Sequence, residues 1–141
     1  MKRRRRKGGN EKRKAKSGKR KAESGKGRNL GRFQGKDILQ RSLAFGACVI
    51  RLARLLPHDD TARHIANQLV RAATSVGANL HEADMAESVR DFCNKVNIAQ
   101  KEAGEAGYWL KLIEKSGLSS DQNVTELEST AIELKKYAAR L

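Results

Sequence analysis

Residues 61–84 read TARHIANQLVRAATSVGANLHEAD, and within them Ile65, Leu69, Ala72, Val76, Leu80 and Ala83 recur at steps of three and four. That period puts all six on one face of an α-helix, and no strand-like alternation competes with it. Asp59 or Asp60 supplies the N-cap, so the spacing predicts a helix from Thr61 to Asp84. Upstream, Ile38, Leu39, Leu43, Val49, Ile50, Leu52, Leu55 and Leu56 mark a helix from about Asp37, which Pro57 ends because a residue before proline is pushed out of the helical region. Downstream, Val89, Phe92, Val96, Ala99, Ala103, Ala106, Leu110 and Ile113 keep the rhythm from Ser88 to Lys115, and Gly117 follows as a C-terminal stop. Ser119 and Gln122 have capping-box spacing before a fourth seam of Val124, Leu127, Ala131, Leu134, Ala138 and Leu141.

Four long helices joined by short links make neighbours antiparallel, so the expectation is an all-α, up-down-up-down four-helix bundle over residues 37–141. Six aromatic residues and one proline argue against a sandwich or barrel. No run reaches the roughly 18 to 20 apolar residues of a membrane span, and the basic start is not followed by a signal-peptide core, so a cytoplasmic protein without membrane contact is expected. Cys48 and Cys93 lack any paired spacing, and reduced thiols are the expectation.

The net charge of +14 is unevenly spread. Residues 1–36 hold 17 Lys and Arg against Glu11 and Glu23, for +15, while residues 37–141 hold 13 bases against 14 acids. The clusters are Lys2, Arg3, Arg4, Arg5, Arg6 and Lys7, then Lys12, Arg13, Lys14 and Lys16, then Lys19, Arg20 and Lys21, set among seven glycines and two serines. With almost nothing apolar to bury, this N-terminal tail is expected to be disordered alone in solution and to bind polyanions by counterion release. Those thirteen cations are the candidate nucleic-acid contacts, with RNA favoured as the partner.

Inside the helical pattern, Arg71, Ser75, Asn79 and Glu82 form a polar strip along the second helix, with Glu102 and Glu105 placed to face it. The reading is a structural network of charge and amide groups that sets helix register. Gly77, Gly104 and Gly107 each cost about 1 kcal/mol against Ala in a helix interior, which close approach of another helix would offset. Phe45 on the first helix and Tyr108, Trp109 and Leu112 on the third widen the apolar stripes beyond one core, which marks them as candidate oligomer-interface residues. His58, His64 and His81 do not follow a Glu at the spacing of a bundle di-iron site, and no phosphate loop or nucleophile signature is present. No metal, no cofactor and no catalytic activity are expected.

The run Arg71-Ala-Ala-Thr-Ser-Val-Gly-Ala-Asn79-Leu-His-Glu82-Ala83, with Glu87-Ser88-Val-Arg-Asp91-Phe92 and Ala99-Gln-Lys-Glu102-Ala-Gly-Glu105-Ala-Gly-Tyr108-Trp109-Leu110, resembles a bacterial four-helix-bundle family. That family includes proteins encoded by intervening sequences within large-subunit ribosomal RNA genes. The resemblance covers residues 37–141 and implies an antiparallel bundle assembled as a ring-shaped homopentamer. A related bundle is the accessory protein of diversity-generating retroelements, which implies a reverse transcriptase as an alternative partner docked on the bundle. The tail lies outside the resemblance.

Overall fold

The computed structural model describes residues 37–141, which form four helices and, among the described residues, no strand. They are α1 (Asp37–Leu55), α2 (Asp60–Asp84), α3 (Val89–Ser116) and α4 (Gln122–Ala139). Each helix end has a local cause. Asp59 caps α2 by accepting a hydrogen bond from the Ala62 amide at 2.9 Å, and Ser88 caps α3 by accepting from the Asp91 amide at 3.0 Å. Gly117 closes α3 in the left-handed region at φ 70°, where a side chain would be strained.

One cap differs from the sequence reading. Asp121, rather than Ser119, caps α4 by accepting from the Asn123 amide at 2.9 Å, while the Ser119 hydroxyl accepts from the Asp121 amide at 3.2 Å. A carboxylate next to the first helical turn also complements the helix dipole, which a hydroxyl two residues farther out does not.

The connections 56–59, 85–88 and 117–121 are too short to cross the bundle, so successive helices run antiparallel. The four helices close a ring. Each packs against its two neighbours and not against the helix diagonally opposite, and the α1–α4 seam is the thinnest. The α2–α3 seam is the most extensive because Ala72, Ala73, Ala99, Ala103 and Ala106 are fully buried and let the two backbones approach. Larger side chains fill the centre, with Phe45, Leu69, Leu80, Leu110, Ile113 and Leu134 all buried. Among the described residues Ser42 is the one buried polar residue, and its hydroxyl donates to the Leu39 carbonyl at 2.9 Å, so the group is not orphaned. A smaller cluster of Ala83, Phe92, Val96 and Ala138 joins the end of α2, the start of α3 and the end of α4.

The glycines sit where helices meet within this chain. A Cβ at Gly77 would lie 3.6 Å from the Ser42 hydroxyl oxygen, at Gly107 it would lie 3.8 Å from the Ala131 Cβ, and at Gly104 it would lie 3.6 Å from the Lys135 Nζ. All three are ordinary van der Waals distances. The close approach expected from the sequence is present, but it does not demand glycine at any of the three.

Candidate nucleic-acid interface and the polar face of the bundle

The thirteen arm cations, from Lys2 to Lys7, Lys12 to Lys16 and Lys19 to Lys21, fall outside the described residues. The polar strip of α2 falls inside them, and it divides into two separate contacts. Arg71 reaches across to α3, where its Nη1 donates to both oxygens of Glu102 at 3.2 Å and its Nη2 donates to Glu105. Its Nε also donates to the Gln68 side-chain oxygen at 3.4 Å. Trp109 completes this group by donating its indole N–H to Glu105 at 3.2 Å. The Trp109 ring meets His64 of α2 edge-on at a centroid distance of 6.3 Å and Tyr108 at 5.1 Å.

Farther along, Glu82 pairs with Lys95 of α3, a partner the sequence reading did not identify. Between the two contacts, the Asn79 amide donates to the Ser75 backbone carbonyl at 2.8 Å, a bond within α2 that reaches no other helix. Lys95 is the seventh residue of α3 and Glu82 lies two residues before the end of α2, so their pairing is set by the register of the two helices across the 85–88 turn, which the hydrophobic pattern does not carry.

The electrostatics follow from these bonds. Hydrogen bonds from Arg71, and then from Trp109, hold the Glu105 carboxyl below the usual carboxylate range. Glu105, and then Glu102, raise the Arg71 guanidinium, and Glu82 raises the Lys95 ammonium. Each group is therefore held in its charged form. These pairs tie α2 to α3 along this face. Among the described residues, no three His, Cys, Asp or Glu side chains gather to hold a metal ion, and no helix is long and apolar enough to cross a membrane.

The candidate interface residues separate. Phe45 is only 2% exposed and belongs to the chain's own core, so it has no surface to offer a partner. Its step from Ile38, Val49 and Leu52 places it on the buried stripe of α1, and the width of apolar character around that helix comes instead from Leu43, Ile50 and Leu55, all exposed. Trp109 and Leu112 are half-buried against the core, and Tyr108 is exposed.

Comparison with known proteins places this bundle. The model of the family described as 23S rRNA-intervening sequence protein matches residues 35–140. Among solved structures, a protein of unknown function from the S23 ribosomal protein family of Bacteroides thetaiotaomicron is 32% identical, with a TM-score of 0.68 over 73% of this chain and 95% of that one. No curated protein matches.

Proposed function

The chain belongs to the 23S rRNA-intervening sequence protein family, and from that premise we propose that it is a non-catalytic, oligomeric four-helix bundle that holds RNA through its basic N-terminal arms. The observation that carries this reading is the separation of charge along the chain. Residues 1–36 hold a net +15, and residues 37–141 hold 13 bases against 14 acids. Each phosphate neutralised by Lys or Arg releases condensed counterions, so a segment this dense in cations binds polynucleotides without needing a shaped pocket. RNA is favoured over DNA because the family description itself refers to 23S rRNA. The bundle contributes valency: copies held together present their arms at high effective concentration, which strengthens binding without any new contact. A homopentamer, as the resemblance implies, would gather five arms.

The test is a titration of labelled RNA from about 50 to 200 mM salt. It compares the full chain with a variant carrying Gln at the thirteen arm cations. The full chain is expected to lose affinity steeply with salt, at about 0.7 per phosphate contact on single strands, and the variant to lose most of that slope. Equal affinity and equal slope would remove the arm from the mechanism. The bundle as a docking surface for a protein partner, such as a reverse transcriptase, would then replace it.

A further inference from the structure

The near-zero charge of the bundle hides a sorting by sign along α3. Arg90, Asn94, Asn97, Lys101, Tyr108 and Lys111 follow one another at steps of four, three, four, seven and three, so they share a helix face, and all are exposed. The acids Glu102 and Glu105 lie on the other flank, turned toward Arg71 of α2. Toward its C-terminal half the cationic face is partly neutralised, since Lys111 lies 3.5 Å from Glu128 and 3.9 Å from Glu114. Toward its N-terminal half it is not. Among the described residues, Arg90, Lys101 and, from α4, Lys135 make no ion pair.

Two open cavities lie on that N-terminal half. One of about 300 Å³ is lined by Asn97, Gln100, Lys101, Gly104 and Lys135. The other, of about 570 Å³, runs from Asn97 to Arg90 and Ser88 and includes Cys93 and the single carboxylate of the pair, Asp91. Asn97 lines both, so the two adjoin as a shallow trough along the N-terminal half of α3, which meets α4 only at Lys135. At Gly104 the Lys135 stem lies against α3, its Nζ 3.6 Å from where a Cβ would stand. The trough therefore combines unpaired cations with amides that both donate and accept hydrogen bonds. Anionic, sugar-bearing polymers match that combination. In the antiparallel ring, the start of α3 shares an end of the bundle with the start of α1 at Asp37.

We propose that this trough is a track for the phosphodiester backbone of an RNA strand. Lys101 and Lys135 each take a phosphate, Asn97 and Gln100 face the ribose and base edges, and Tyr108, exposed two turns beyond Lys101 on the same helix face, offers a stacking surface to a strand that continues past the trough. The proposal rests on the reading of RNA as the ligand, and it adds a site that positions the strand to the segment that captures it.

The experiment uses the full chain with Cys48→Ser, so that exposed Cys93 in the trough carries a photo-crosslinker. In this background, K101E/K135E is expected to lower RNA affinity about tenfold or more at 0.1 M salt, to flatten the salt slope by about 1.4 and to abolish crosslinking from position 93. K101R/K135R is expected to retain all three, which separates charge from fold. Unchanged slope and crosslinking in K101E/K135E would overturn the trough, as would equal crosslinking from a Gln40→Cys probe on the outer side of α1. The arm variant distinguishes the two readings: if the arm is idle its neutralisation changes nothing while K101E/K135E still acts, and if the trough is idle the reverse holds. A full chain that binds no RNA overturns both.

Discussion

Glu105 is the residue on which the α2–α3 face turns, because two donors from different directions converge on it: the Arg71 guanidinium and the Trp109 indole. Its folded-state pKa lies below the ordinary 4.5, so the stability it contributes is complete above that value and is lost as pH falls through the lower folded value. Arg71 and Lys95 are raised, so their contributions are complete through neutrality and are lost only as pH rises, in the strongly alkaline range, through the raised folded values. Trp109 is the only tryptophan and reports the bond directly. Its emission is expected to shift as pH falls below 4.5, and Glu105→Gln is expected to remove that acid transition. A transition that survives in the variant would assign it to other carboxylates. The Arg71 contact was legible in the sequence because both helices carry their partners at whole-turn spacing. The Lys95 contact was not, because it depends on register across a turn whose length the pattern does not fix. Phe45 was misplaced for a similar reason: polar Ser42 interrupts the buried stripe of α1 and hides that Ile38, Phe45, Val49 and Leu52 are one row.

At the scale of elements, the periodicity located all four helices because each buries a single stripe, and burial rather than propensity holds such helices in place. Boundaries depended on caps, and there the α4 start distinguishes two oxygen acceptors of similar appearance in the sequence. Asp121→Ala is expected to cost about 1 kcal/mol in denaturant unfolding, the usual loss for an N-cap. Ser119→Ala removes a bond that lies outside the helix and is expected to cost less. Equal losses would mean that the two groups act as one cap. The cationic row of α3 was equally present in the sequence, yet a net charge summed over residues 37–141 cannot reveal it. Only the assignment of one flank to Arg71 shows that the acids are already engaged and the bases of the N-terminal half are not.

For the whole molecule, the proposed RNA binding turns on whether copies of the chain assemble. α1 bears the thinnest seam with α4 and also an outward row in which Leu43 is 67% exposed and Ile50 is 38% exposed, seven residues and so two turns apart. Apolar side chains repeated on one solvent-facing stripe favour burial against another copy, since each Leu or Ile removed from water is worth about 1.5 to 3 kcal/mol. Light scattering on the full chain is expected to give an oligomer, and L43E/I50E is expected to give a monomer with unchanged helical circular dichroism, because neither side chain supports the core. Phe45→Ala should instead unfold the bundle, costing about 3 to 5 kcal/mol as a cavity in the centre. Monomerisation has a consequence for binding that the arm and the trough cannot produce separately. An intact arm on a lone bundle keeps its own phosphate contacts and loses the neighbouring arms, so RNA affinity should fall by the avidity factor of about 10² or more. A chain that is already monomeric, or a monomeric variant that binds RNA as tightly as the parent, would show that each arm works alone and that the bundle does not multiply it.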